Sequence, residues 1–423
     1  MTGKRKRKLA MPDTLIIVAS VVLLVAILSW IIPSGTYDYQ EMNINGRIRN
    51  VAIDGTYHTI DKSEVTTTGF LGFFSVLYRG CVEAADVIFM ILCCCGTFGV
   101  VVKTGAFHAG IGTILKKLKG KEILLVPIIM MIFGLGGSVF GMASEFYGFY
   151  PLIVGLGVAL GYDAMFGFAI IAVGEFVGFM GATLNPYSVG IAQTISGVEL
   201  YSGTGYRAIC FVIFMAISII YVMVYGRKIK KNPGASVVFG EKNIHAFDRD
   251  ELNEYSFTLK DGLVLLDVLV VLVVLMLGLI KWGWDFPQLC GLFLLMSMIA
   301  AAICKWSPNK WCSEFIDSAK TAMWGCILTG IAKAITVVMQ DAQIMDTVIY
   351  GLSNVLKNAP HAVSAQVMLV VQTLINFFIP SATGQASATM PIMAQLADII
   401  GVSRQTAVLA FQFGDGLSNI FWP

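Results

Sequence analysis

The chain has 423 residues, of which 57% are hydrophobic and only 13% charged, with a formal net charge of +2. A soluble domain carries about 25% charged residues, so most of this chain cannot face water, and the near-neutral balance gives no sign of a nucleic-acid partner. Apolar runs of about twenty residues, the length that spans a bilayer, recur along the whole sequence. The nine cysteines sit mostly inside those runs, the Cys93-Cys94-Cys95 triplet among them. None has metal-site spacing, so buried free thiols are expected.

Lys4, Arg5, Lys6, Arg7 and Lys8 precede the first run, residues 15–32. That run is too long for a signal-peptide core and lacks a small-residue cleavage site. It reads as a retained span, capped by Asp13, with a cytoplasmic N-terminus. Residues 33–68 are polar, and Asn45-Gly46 between short alternating segments predicts an extracellular β-hairpin. Residues 70–85 predict an amphipathic interfacial helix with its aromatics towards lipid. Residues 87–102 then descend to a loop bearing Lys103, Lys116, Lys117, Lys119 and Lys121, which the positive-inside rule places in the cytoplasm.

Residues 123–133 rise, residues 134–137 break the helix, and residues 145–160 return to Tyr162-Asp163. This is a first re-entrant hairpin, permissible where protein covers it or it lines a cavity. Residues 166–173 rise again and are expected to loosen from Gly174 to Gly178 and on through Asn185-Pro186. Residues 208–225 descend into Arg227-Lys228-Ile229-Lys230-Lys231. The stretch 232–260 lacks strong periodicity and reads as a linker. Residues 263–280 and 289–304 cross, 308–318 form a second interfacial arm, 322–338 rise, and 341–356 form a polar external helix. Residues 365–378 start a second hairpin with its tip at 380–384, and the returning arm ends at Gly401.

The stretch 141–186 recurs as 381–423. Pro151 falls on Pro391, Gly161 on Gly401, Gly174 on Gly414, Glu175 on Asp415 and Glu145 on Gln385. Counting crossings inverts one half relative to the other, so the expected fold is an all-α polytopic membrane protein of two inverted repeats. Each repeat has a re-entrant hairpin and a broken helix. Residues 1–231 form the first (span 14–33, external loop 34–69, hairpin 122–161, broken helix 164–200, span 206–225). Residues 232–262 are a cytoplasmic linker. Residues 263–423 hold a connecting span and the second repeat (hairpin 363–402, broken helix 405–423). The second half stops at Pro423 partway through its broken helix, and a terminal carboxylate at membrane depth is costly. A missing final half-helix and last span are therefore expected.

Paired, interrupted apolar segments in corresponding halves point to the substrate site of a secondary transporter. Glu145, Glu175 and Asp415 are the acids most deeply set in apolar sequence, and intramembrane acids are functional by default. Beside them the expected substrate or ion site takes in Ser138, Ser144, Asn185, Ser381, Thr383, Gly384, Gln385, Ser387, Ser418 and Asn419. The structural alternative is that each acid pairs with a nearby amide or lysine and does nothing more. Helix starts behind each tip suit a carboxylate. Loosened carbonyls at Gly174 and Gly414, with Glu175 and Asp415, suit Na⁺; either Na⁺ or H⁺ would serve as coupling ion. Arg207 and Arg404 fall at outer ends and Lys103 at an inner one, where snorkelling is the default, while Lys333 is deep enough to pair with a site acid. His58, His108, His245 and His361 have no partner at ligand spacing, so no metal centre is expected. Tyr162-Asp163 with Phe413-Gly414-Asp415 has the look of an intramembrane protease pair, but Gln412 departs from that pattern and Asp415 has a repeat partner in Glu175. No enzyme is expected.

The motifs GGSVFGMASE, LNPYSVGIAQ, SATGQASATMP and VLAFQFGDGLSN, with the opening AMPDTL and the run RKIKKNP, resemble the YfcC-like branch of the DcuC family, in the ion transporter superfamily. The resemblance spans nearly the whole chain. It implies a multi-pass carrier of the bacterial inner membrane, homodimeric, with a hairpin-bearing domain that moves like an elevator, driven by Na⁺ or H⁺. Members are carriers described for basic amino acids or for four-carbon dicarboxylates, and they continue past the position of Pro423. Acids in the site without an assured arginine favour a basic amino acid; a dianion would favour guanidinium contacts. The dicarboxylate carrier stands as the alternative, and a non-transporting sensor on the same fold is a remoter one.

Overall fold

The computed structural model describes residues 13–44, 47–53, 55–118, 122–239, 257–357 and 363–422. Asn45-Gly46, Lys119, Lys121, His245, His361, Pro423 and the N-terminal lysines and arginines lie outside them. Helices dominate in chain order: α1 (Thr14–Ile31), α2 (Phe70–Glu83), α3 (Ala85–Lys103), α4 (Ala106–Leu118), α5 (Leu125–Leu135), α6 (Tyr150–Ala159), α7 (Ala164–Met180), α8 (Ile191–Ile195) and α9 (Thr204–Lys231). After the linker come α10 (Leu259–Lys281), α11 (Phe286–Ile303), α12 (Pro308–Ala319), α13 (Met323–Asp341), α14 (Met345–Lys357), α15 (Ser364–Phe378), α16 (Ala382–Ile399) and α17 (Arg404–Ser418). Among the described residues five helical stretches are long and apolar enough to cross a membrane; one of them joins α12 to α13. The protein is an all-α polytopic membrane fold with small strands at one end.

Those strands are β1 (Gly35–Thr36), β2 (Tyr39–Ile44), β3 (Arg47–Ala52) and β4 (His58–Thr59). β2 and β3 pair antiparallel, as the alternation predicts, and β1 pairs with β4. The Asp346 carboxylate on α14 ties them down, accepting from Tyr37 N at 3.0 Å and Tyr39 Oη at 2.8 Å. Helix α2 shows solvent or lipid Phe70, Leu71, Phe74 and Tyr78 and packs its other face on α13, where Gly80 lies on the Gly330 carbonyl.

Three apolar clusters form the core. One gathers α3, α5–α7 and α9–α11; a second gathers the strands with α8 and α14–α17; a third joins α1, α2 and α13. Helix α9 is about 42 Å long for its 28 residues. At its far end Tyr225 donates to Asp163 and Lys230 lies over the Tyr162 ring. At its start, Gln405 Nε2 donates to Ser202 O and Arg404 Nη1 to Ser196 O. Asp163 and Arg404, the ends of the two returning arms, therefore lie at opposite ends of the fold, as inverted repeats require. These are the linker end and the strand end below.

Four expectations need correction. The lysine-bearing segment after residue 103 is helical in α4, not a loop. The first hairpin does not break at residues 134–137. The helix runs on through a π turn, Gly136–Phe140, and reverses at Gly141, whose φ of +68° suits glycine. Nor do the broken helices loosen at Gly174 or Gly414. Both α7 and α17 pass through those glycines unbroken and end at Met180 and Ser418. The glycines serve close packing instead: a side chain at Gly174 would meet the Met130 backbone, and one at Gly414 would meet Leu369 and Gln372. Finally, Arg207 does not snorkel; it is 2% exposed.

Candidate functional site

In each repeat the first arm of the hairpin lies along the broken helix, and one asparagine locks the two together. In the first repeat it is Asn185, fully buried just past the end of α7. Its Oδ1 accepts from Tyr187 N at 2.9 Å and Ser188 N at 3.2 Å, and its Nδ2 donates to Gly137 O at 3.2 Å. Ser138 completes this lock: its Oγ donates to Gly181 O, and its carbonyl accepts from Thr183 N and Leu184 N. In the second repeat Asn376, on α15, donates from Nδ2 to Asp415 O at 3.2 Å, Ser418 Oγ at 2.7 Å and Asn419 Oδ1 at 2.8 Å.

The acids sit at these junctions. Glu175 is 1% exposed and accepts from Tyr150 Oη at 3.2 Å. Glu145 is buried in the 3-10 turn Ser144–Phe149 and accepts from Ala143 N at 2.9 Å, closing the tip on itself. Glu145, Glu175, Tyr147 and Tyr150 lie within electrostatic reach of one another. Asp415 is as buried as Glu175, but its Oδ2 has no hydrogen-bond partner among the described residues. An orphaned carboxylate oxygen in an apolar surround is costly unless a ligand or proton completes it.

The second tip is Ile379-Pro380-Ser381. Ser381 caps α16 by accepting from Gly384 N at 3.3 Å, satisfying one of the first-turn N–H groups internally. Gln385 reaches back to the first arm and donates to Gln372 Oε1 at 2.7 Å. The two repeats join here. Thr383 Oγ1 donates to Tyr187 O at 3.1 Å, and Gln412 Nε2 donates to both Met180 O and Ala182 O, carbonyls freed where α7 ends. Gly416 lets the helices cross, since a side chain there would meet Met180 Cα.

The structure thus gathers Ser138, Asn185, Thr383, Gln385, Asp415, Ser418 and Asn419 around the helix ends, with Glu145 on the first hairpin and Glu175 on α7. Ser387 donates into its own helix at Thr383 O, Ser381 is exposed, and Ser144 is half-buried at the start of its turn. Lys333 forms no ion pair with these acids among the described residues. The carbonyls of Gly414 and Asp415 are occupied by Ser418 Oγ and Asn376 Nδ2, against the expectation of freed carbonyls for Na⁺. Among the described residues no group of three His, Cys, Asp or Glu is set to hold a metal. Asp163 is tied to Tyr225 and Ser236 at the linker end, about 25 Å along α7 from the helix crossing, so it forms no pair with Asp415. Sequence reasoning does not single out Tyr150, Gln372 or Asn376; Gln372 and Asn376 are findable as polar residues spaced four apart in an apolar helix.

Comparison with known proteins gives the family. The family model described as DcuC, C4-dicarboxylate anaerobic carrier, matches residues 11–423. The Escherichia coli (strain K12) protein named "Putative basic amino acid antiporter YfcC" is 33% identical over 456 aligned residues, covering all of this chain and 90% of that protein. An uncharacterized protein of Haemophilus influenzae is 28% identical, over 97% of this chain and 89% of its own. Among solved structures, the Alcanivorax borkumensis YdaH transporter is similar at 14% identity with a TM-score of 0.44, covering 97% of this chain and 88% of that one. The Neisseria gonorrhoeae antimetabolite efflux pump MtrF is similar at 15% identity with a TM-score of 0.46, covering 97% and 86%. The family match and the full-length relative make this chain a member of the DcuC family of carriers.

Proposed function

We propose that this DcuC-family transporter moves a basic amino acid of the arginine or ornithine type across the bacterial inner membrane, by uptake or exchange coupled to H⁺ or Na⁺. The observation that carries the reading is the set of buried carboxylates at the hairpin–helix junctions, with the Asp415 Oδ2 unpartnered among the described residues. A guanidinium or ammonium group would supply the missing donors as charge-assisted hydrogen bonds. The name of the Escherichia coli relative points the same way. Unbroken helices at Gly174 and Gly414 offer no free carbonyls, which favours a proton on Glu175 or Asp415 over Na⁺ as the coupling ion. The reading includes a homodimer in lipid with its N-terminus in the cytoplasm, and it assigns no catalytic residue because a carrier releases its solute unchanged.

A four-carbon dicarboxylate is the second reading. It is favoured by the description of the matched family model and by the buried guanidinium of Arg207. Uptake into proteoliposomes of labelled arginine, ornithine, succinate and fumarate, with and without Na⁺ or a pH gradient, separates the two. Saturable arginine or ornithine uptake supports the first reading, and succinate uptake alone replaces it with the second. Arginine binding without movement of label would leave a sensor on a transporter fold.

A further inference from the structure

Arg207 is the largest fully buried side chain of the described residues, and its Nε and both Nη atoms have no hydrogen-bond partner among them. A guanidinium is charged at any physiological pH and presents a fork of donors. Burying it unpaired is among the most costly arrangements a protein can hold. The surround therefore calls for an anion that the described residues do not supply.

Its position is fixed by the residues before and after it on α9. Arg207, Phe211 and Met215 form one inward stripe, opposite a face of exposed Ile209, Val212, Ile213 and Ile217. Phe211 lies on Gly181, where α7 ends. Gln412 reaches that same end to bind Met180 O and Ala182 O, and its Oε1 is also buried with no hydrogen-bond partner among the described residues. One turn up the stripe, Arg207 points back towards the start of α9, as helical side chains do. Gly203 there lies against Gln405, and the helix start has no side-chain cap. An uncapped helix start favours negative charge. Arg207 thus lies on α9 between the Phe211–Gly181 contact at the end of α7 and the Gly203–Gln405 contact at the helix start.

We propose that Arg207 anchors a carboxylate-binding site beside the end of the first broken helix, on the strand side, which takes the carboxylate of the transported solute. For an α-amino acid, the Gln412 Oε1 offers an acceptor for the α-ammonium group at the same helix end. The site rests on the transporter reading but is independent of which solute is carried, since both candidate classes bear a carboxylate.

Equilibrium binding to the purified full chain tests it with three labelled probes: arginine, agmatine (arginine without its carboxylate) and succinate. The wild type should bind arginine more tightly than agmatine. Arg207→Gln should weaken arginine by about 10- to 100-fold, the worth of a charged hydrogen-bonded pair, and leave agmatine unchanged. Arg207→Lys, which keeps the charge but not the fork, should fall between. Intact agmatine binding shows that the variant is folded. If arginine binds Arg207→Gln as it binds the wild type, or if arginine and agmatine weaken equally, the carboxylate site is wrong. If the wild type binds succinate alone and Arg207→Gln loses it, the basic amino-acid reading fails while the carboxylate site stands. Binding of none of the three overturns both.

Discussion

Asn185→Ala gives the sharpest test of how the first hairpin is held. The wild-type amide is fully buried and makes three hydrogen bonds, two as acceptor from Tyr187 N and Ser188 N and one as donor to Gly137 O. The Gly137 carbonyl also accepts from Gly141 N, so its loss is the smaller one. The two N–H groups lose the only acceptor shown for them. Each orphaned buried donor costs about 1–3 kcal/mol, and a water entering the vacated amide space recovers part of that. The expected loss of stability is about 2–4 kcal/mol. Asn185→Ser should cost less, because serine still caps the turn but cannot reach Gly137. Denaturant unfolding in mixed detergent measures the first quantity. The alkylation rate of a cysteine placed at Met142, buried beside the tip, measures the release of the hairpin. A ΔΔG for Asn185→Ala below about 0.5 kcal/mol, the range of an inert surface substitution, would refute the lock.

Gly178→Ala should destabilise by about 1–3 kcal/mol, because the added methyl would sit 2.1 Å from Gly134 O on α5. Gly325→Ala, with nothing within 4 Å in its helix, should be neutral or stabilising; equal melting temperatures for the two would contradict the glycine seam. At the strand end, burial and the Asp346 carboxylate raise the Tyr39 phenol above its usual range. A raised folded-state pKa means that this contact stabilises fully below about pH 10 and is lost as pH climbs above it. The stability difference between wild type and Tyr39→Phe should therefore shrink from pH 8 to pH 11; a difference that holds constant would remove Tyr39 from the tether.

Much of this was readable in the chain. Length and hydropathy mark the spans, and the matched pairs Pro151/Pro391 and Glu175/Asp415 mark two related halves, whose returning arms end near opposite ends of α9 at Asp163 and Arg404. The break points were misread because glycine next to an acid looks like a loosened helix. In α7 and α17 those glycines instead admit a neighbouring backbone, a tertiary reason invisible to local propensity. The true breaks come later, at Gly181 and Asn419, where the side chain of Ser138 donates to Gly181 O and that of Asn376 to Asp415 O. Arg207 was misplaced for a similar reason. Its position near the end of an apolar run fits snorkelling, and only the inward stripe with Phe211 and Met215 shows that it turns into the protein.

The central claim is that buried acids at the junctions of two inverted repeats receive a cationic solute. Its most direct test is uptake of labelled arginine into proteoliposomes by the wild type, Glu175→Gln and Asp415→Asn, with Asp163→Asn as a control at the linker end. The account predicts saturable arginine uptake that is lost in Glu175→Gln and Asp415→Asn and retained in Asp163→Asn. Arginine uptake that survives both site substitutions, or uptake of succinate alone, would contradict it.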